Sequence, residues 1–545
     1  MAPSRSLVLL AAALFPLLPA GADDYPRQPG IDAVHYIFRV TLSDASDAIE
    51  CESTAEVRFL SGGIGRFWLD LASPHDGKGM TVTDVRSEGV AVPYVHQADR
   101  LTIALPSAPR AGERRSFVVR YHGVAANGLH VVPNHYGDRT FFSWNWPAFA
   151  REWLPVIDHP SDKATSEFLV TAPAHYQVVA NGALAETRDL EGGMRLTHWK
   201  ESVPVASWLN NIGVAAFAAR RFDTVRGVPL ESWLFPRDRE AGIGTFEEPM
   251  RQAVAFFSDF AGPYPYERLA GVEVSRMGGA MEHASAVFYG EKNVTGQPAL
   301  ALVAHEVSHQ WWGDSVTESD WDDVWLSEGF ATYFAALAEE HYLGGDAFRE
   351  VMSHSRDAIL SMENTTPIPV IHDNLPEIRG GQAPIGLVYQ KGAWFLHMLR
   401  SLLGFGKFRE GIRSYYLRYR DSTASTSDLQ TVMEEVSGEK LDWFFNQWLR
   451  RAISPSIIAQ WSYDAARKRL LVELNQTKKG AAYRLPLKLA VSMPGLSRRI
   501  VPLVMESSRW KVEIDCEKEP SAVALDPFVE VLMESQVQRQ LPVGQ

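Results

Sequence analysis

Cysteine is nearly absent from this chain: there are two in 545 residues, Cys51 and Cys516. Two thiols cannot staple a chain of this length, and neither stands at metal-site spacing, which excludes disulfide scaffolds and cysteine-cluster metal sites. They pair only if the two ends of the chain meet, and are otherwise two buried thiols. A basic surplus is missing too. Lys and Arg number 53 against 66 Asp and Glu, a formal charge of −13, whereas polyanion binding draws its affinity from basic patches. Nucleic acid is therefore not an expected partner. Past the first residues no run of eighteen apolar positions occurs, so no later segment reads as a membrane span. Internal repeats and low-complexity tracts are also absent.

What is present reads as a large, ordinary globular composition, 46% hydrophobic and 22% charged, long enough for roughly three or four domains. The chain opens with Arg5, an apolar run from Leu7 to Leu18, and Ala20-Gly21-Ala22 before Asp23-Asp24. That is a secretory leader with a small-x-small cleavage site, so the mature chain is expected to begin at Asp23, in a periplasmic or secreted setting. An uncleaved anchor is the alternative, although the run is short for a span.

Residues 23–224 alternate with period two, as in Tyr36–Leu42, Thr54–Phe59 and Ser116–Tyr121, and predict an N-terminal β domain. From 225 to 452 the period becomes helical: Phe246–Phe260, Pro298–Trp312, Val324–Tyr342, Asp346–Met362, Leu387–Leu403 and Leu441–Arg451, with short strands at Leu269–Val274 and Ala284–Phe288. Strands return over 453–545 at Ile457–Tyr463, Leu470–Leu474, Leu485–Val491, Ile500–Met505 and Trp510–Ile514, consistent with a small β-sandwich. The expected class is multidomain α+β.

The helical stretch holds His305-Glu306-Val307-Ser308-His309. One turn apart on a helix, His305 and His309 share a face and both imidazoles can reach one metal ion, with Glu306 one step off that face. Glu328 lies on the next helix among Trp325, Leu326 and Phe330, where an unpaired carboxylate would be costly. A cation is its simplest partner. The competing reading is two satisfied histidines and a solvated Glu; with 16 His in the chain an accidental match arises in roughly a few per cent of cases, and the helical context lowers that. Zinc held by two imidazoles and a carboxylate keeps an open position for water, whose pKa it lowers to about 7. Cobalt or manganese would also fit a His/His/Glu set. Glu306 is then placed to take the water proton and pass it to a leaving amine.

Three further features join the two histidines: the eighteen residues between His309 and Glu328, the stretch Gly279-Ala280-Met281-Glu282, and the stretch Tyr389-Gln390-Lys391-Gly392-Ala393. Together, in this order, they resemble the gluzincin aminopeptidases, the family of aminopeptidase N and leukotriene hydrolase. The resemblance implies an N-terminal β saddle, a thermolysin-like catalytic domain, a β-sandwich, one zinc ion, and removal of amino-terminal residues from peptides. It implies His305, His309 and Glu328 as ligands, Glu306 as base and Tyr389 as the hydroxyl facing the developing oxyanion. Glu282 would hold the substrate α-ammonium, with the Gly279–Met281 backbone lying beside the peptide.

The chain departs from the family in three places. His283 follows Glu282 where an Asn is usual. The Phe141–Pro160 stretch has no Gln or Glu where relatives place a second amine-binding group, leaving Asn145 to substitute. No long helical segment follows the last strands, which implies a more open cleft that accepts long peptides. The rival readings are a metallo-endopeptidase and a non-catalytic peptide-binding relative.

Overall fold

The computed structural model describes residues 23–380, 385–478, 480–495 and 497–540; the leader segment lies outside the described residues. Ile31–Thr41 and Ile49–Phe59 pair antiparallel near the centre of an eight-stranded sheet, and the alternation seen in sequence becomes alternate burial, with Phe38, Val57 and Phe59 fully buried. One face packs a core and the other meets solvent, as period two requires. A four-stranded sheet over 128–215 covers that core, bringing Phe141, Val178 and Val214 against it.

Ala218–Val225 and Val228–Leu234 turn away from these sheets into a mixed five-stranded sheet with Leu269–Val274, Ala286–Gly290 and, at its edge, Ala280–Met281. Leu269–Val274 is buried at every position and lies parallel to both its neighbours, which accords with its being apolar apart from Glu273.

Helices cover this sheet: α1 (Glu248–Phe260), α2 (Leu300–His309), α3 (Trp325–Leu343), α4 (Gly345–Thr365), α5 (Leu375–Gly380), α6 (Ile385–Leu403), α7 (Phe405–Tyr419), α8 (Thr426–Ser437) and α9 (Asp442–Leu449). α2 is shorter than the expected Pro298–Trp312. Ala299 is non-helical (φ −103°, ψ 60°), and Gly313 at φ +105° turns the chain after Gln310. Of the helices absent from the sequence reading, α5 precedes α6, and α7 and α8 fill the region before α9. α7 carries Gly406 and Gly411, which weaken its helical signal, yet its buried face, Phe408, Ile412, Tyr415 and Tyr416, has helical spacing. α8 begins with a capping box, Ser425 with Asp428, a signal legible in sequence.

The last residues form a four-stranded sheet, which adds Glu534–Arg539 as a parallel partner of Ser456–Asp464, and a three-stranded sheet. Their core is continuous with that of the helical region. Cys51 and Cys516 are both buried and free. No helix among the described residues is long and apolar enough to cross a membrane.

Candidate active site

α2 brings His305 and His309 to one face, their Nε2 atoms 3.2 Å apart. From α3, Glu328 places Oε2 3.4 Å from His309 Nε2 and 3.6 Å from His305 Nε2. A tetrahedral zinc with bonds of about 2.0–2.1 Å has ligand–ligand edges of about 3.3 Å, so this triangle has the dimensions zinc needs. Glu328 Oε2 is buried with no hydrogen-bond donor, which marks it as an atom awaiting a cation.

The outer nitrogen of His309 is already committed. Nδ1 lies 3.1 Å from the Trp312 carbonyl and 3.0 Å from Ser327 Oγ, so a proton on it is held there and Nε2 faces the site. Burial opposes charge on this imidazole, but Glu282 and Glu328 outweigh it and raise His309 well above the ordinary range, so a zinc ion would take the place of the Nε2 proton. The turn at Gly313 that ends α2 early is what presents that carbonyl, and Ser327 is Glu328's own neighbour. Burial holds His305 below the ordinary imidazole range, leaving it a neutral ligand. Burial opposes charge on Glu328 too, but His309 and His305 outweigh it and hold the carboxyl at about 2.

Glu282, Glu306 and His309 offer a second set of ligand-type atoms within 4.8 Å of one another. Burial pushes Glu282 up to about 7, with Glu328 adding to it against His309. Burial also raises Glu306 well above the carboxylate range, and Glu282's charge adds to it. Three carboxyls of one residue type are thus separated by surroundings, Glu328 being the acceptor that stays ionised.

Glu282 follows the edge strand Ala280–Met281, which pairs inward with Phe288 and Tyr289 and leaves its other edge open. Gly279 O accepts from Gly290 N and Asn293 Nδ2, fixing the strand from behind. Glu282 itself is 5% exposed, and its Oε1 has no donor in the protein. Gln310, which the sequence reading passed over, anchors this loop. Its Nε2 donates to Glu282 O at 2.9 Å and to Asp314 Oδ2 at 2.8 Å, while Oε1 accepts from Ser285 N and the Tyr264 hydroxyl. Its position directly after His309 was the available signal.

Tyr389 on α6 stands beside these groups, its ring parallel to that of His305 with centroids 6.1 Å apart. Burial and the Glu328 charge raise its phenol well above the ordinary value, so it is a neutral hydrogen-bond donor at physiological pH. Two glycines set its depth. α3 and α6 cross where Gly329 meets Gly392, and a methyl added at either would sit 2.8–2.9 Å from the other's Cα. Each glycine lies one to three residues from a site side chain, Glu328 or Tyr389. Lys391 then locks the helix, pairing with buried Glu363 at 2.7 Å and donating to the carbonyls of Arg451 and Ala452.

Asn145 does not stand in for the missing amine-binding group. It is fully buried, its Nδ2 donating to Asn210 O and its Oδ1 accepting from the Trp153 indole. His283 is buried as well, its Nε2 3.1 Å from Ser143 O and its ring edge-on to Phe288, so it ties the Glu282 loop to the N-terminal sheets. Burial lowers it to about 4, which keeps it neutral.

Comparison with known proteins agrees with this geometry. The peptidase family M1 domain matches residues 245–448, and the peptidase M1 N-terminal domain matches 35–209. Glutamyl aminopeptidase of Rattus norvegicus is 28% identical over 60% of this chain and 36% of its own length. A probable aminopeptidase of Sulfurisphaera tokodaii is 26% identical over 83% of this chain and 58% of its own. The chain thus spans between about a third and three fifths of the length of these relatives. The crystal structure of an M1 zinc metallopeptidase from Deinococcus radiodurans superposes with a TM-score of 0.66 at 26% identity, covering 78% of this chain and 95% of that one. A mutant of that enzyme has been solved with a Tyr-Ser-Ala substrate. With the two M1 domain matches spanning both the sheet-rich and the helical regions, this chain belongs to peptidase family M1.

Proposed function

We propose that the protein is a zinc aminopeptidase that hydrolyses the first peptide bond of substrates with a free amino terminus. The observation that carries this reading is Glu282: a buried carboxylate with an unpartnered oxygen, at the end of an open strand edge, next to Glu306 and His309. An extended peptide adding to the Gly279–Met281 edge runs its amino terminus into Glu282. A carboxylate at a fixed distance from the hydrolytic groups accepts an α-ammonium and leaves no room for preceding residues, which selects the terminal bond.

His305, His309 and Glu328 would hold the zinc, which supplies a positive charge that acidifies water and polarises the scissile carbonyl. Glu306 takes the proton of the attacking water and delivers it to the departing amine, a base in the first step and an acid in the second. The neutral Tyr389 phenol donates to the developing oxyanion. Glu306, His309 and Glu328 are buried and His305 and Tyr389 partly so, which keeps their interactions strong.

In finer detail we read the N-terminal sheets as a saddle, the helical region as thermolysin-like, and the last two sheets as a sandwich, supported by their shared core. The apolar run Leu7–Leu18 and the Ala20-Gly21-Ala22 pattern support a reading of a periplasmic or secreted enzyme with oligopeptides as its substrate class. Assaying unblocked and N-acetylated peptides side by side, with chelator and with zinc restored, tests this proposal. Cleavage restricted to free amines and abolished by chelation is expected. Equal cleavage of both would leave an endopeptidase, and no turnover with zinc bound would leave a binding relative.

A further inference from the structure

Asp23, the residue at which the mature chain is expected to begin, is only 9% exposed. Its backbone nitrogen lies 3.2 Å from Asp320 Oδ1, and its carboxylate accepts from Tyr25 N and sits 2.8 Å from His159 Nε2. Tyr25 stacks on His159, and Arg27 pairs with Asp320 at 2.7 Å. The chain start is thus built into the protein next to the turn that leads into α3.

That turn is rich in acid. Asp320 and Asp322 line a cavity of about 400 Å³ together with Arg27, Asp323 and Arg450. Asp323 is committed to Thr426, and Asp320 Oδ1 already caps the turn by accepting from Asp322 N. Asp322 is 5% exposed and its Oδ1 has no donor at all. Burial, followed by the charges of Asp320, Asp373 and Asp23, pushes its carboxyl up to about 7. An uncharged amide at Asp23 brings one donor and no charge to a group of three aspartates in which Arg27 pairs with Asp320 and Asp322 Oδ1 stays unpartnered.

We propose that cleavage after Ala22 turns the Asp23 nitrogen into an α-ammonium that docks on Asp320, a maturation step that secures the turn leading into the Glu328 helix. A leader peptidase that recognises small-x-small sequences supplies the hydrolysis. Water adds across the Ala22–Asp23 amide, the oxygen passing to the Ala22 carbonyl to give the leader's carboxylate, and the Asp23 nitrogen taking the protons. The new ammonium has three donors and a full positive charge, where the precursor's amide had one donor. Two independent observations meet on one residue: the Ala20-Gly21-Ala22 pattern points to Asp23, and the fold buries the nitrogen of Asp23 against a carboxylate. Asp320 caps the turn Trp321–Asp323, which runs directly into α3, so the docked amine acts eight residues upstream of Glu328.

Two full-length mature chains test the docking: one beginning at Asp23, released from a fusion by a protease that leaves no residue, and one retaining Gly21-Ala22. Each is made with Asp320 intact and with Asp320→Asn. The Asp23-first chain is expected to melt about 2–4 °C above the extended one. The α-amine of the Asp23-first chain should also resist reductive methylation at neutral pH while surface lysines react. The difference in melting should vanish in the Asp320→Asn pair, a double-difference reading that cancels the loss of the Arg27 contact and the cap. Equal melting of the first pair, a freely methylated amine, or a difference that survives Asp320→Asn would overturn the docking. Intact mass of the exported enzyme tests the cleavage separately, and any start other than Asp23 would refute it.

Discussion

At the scale of single residues, three glutamates within a few ångströms have been given three characters by their surroundings. Glu328 is held ionised by the imidazoles, Glu306 is raised by burial and by Glu282, and Glu282 is buried with a free oxygen. Glu306→Gln keeps the size of the side chain and removes the proton acceptor. It should retain zinc stoichiometrically while turnover falls by roughly 10²-fold or more, checked by metal analysis beside steady-state kinetics. Tyr389→Phe removes one donor to the oxyanion, so kcat should fall by about 10²-fold with KM little changed. Glu282→Ala should penalise free-amine peptides far more than blocked ones, and the ratio of the two kcat/KM values is the measurement. The roles of His283 and Asn145 were not legible in this way. Both are polar residues beside the catalytic motifs, and only their hydrogen bonds to Ser143 O, Asn210 O and Trp153 show that they are spent on packing.

At the scale of elements, the site depends on two features that hold its parts at close range. One is the crossing of α3 and α6 at Gly329 and Gly392, where the backbones approach too closely for any side chain. Gly392→Ala should force the helices apart at a cost of about 1–3 kcal/mol and displace Tyr389 from the ligands. We expect zinc content to persist while kcat drops about tenfold or more, since small misplacements of a catalytic group are expensive. The other is the edge strand before Glu282, fixed to α2 through Gln310. The β elements of the N-terminal region were readable because alternation is a local property, whereas α7 was obscured by its glycines and α8 was overlooked despite its capping box. The end of α2 lies a few residues before the expected Trp312 because the left-handed turn at Gly313, supported by the contact of His309 Nδ1 with Trp312 O three residues on, decides where the helix stops.

At the scale of the whole molecule, the N-terminal sheets grip the catalytic region close to the ligands. Lys163, at the start of a strand in the eight-stranded sheet, donates to the carbonyls of Asp314 and Ser315 at 2.8 Å, just after the His309 turn. Burial lowers its ammonium to about 7 against the charges of Asp421, Asp314 and Glu318. Lys163→Met would take one donor from each carbonyl, leaving the Thr317 hydroxyl on Asp314 O and the Ser422 amide on Ser315 O, at a cost of about 1 kcal/mol seen as a lower melting temperature, with a weakened hold on zinc in a chelator competition.

The sequence by itself determined the pairing of His305 with His309 and the placing of Glu306, because a helix fixes neighbours four residues apart whatever surrounds it. It also pointed to Glu328, Glu282 and Tyr389 through their order along the chain. Their convergence was decided only by the tertiary structure: a glycine crossing, a sheet edge and a glutamine bridge bring together groups that are scores of residues apart, and no local period encodes a distance of that kind.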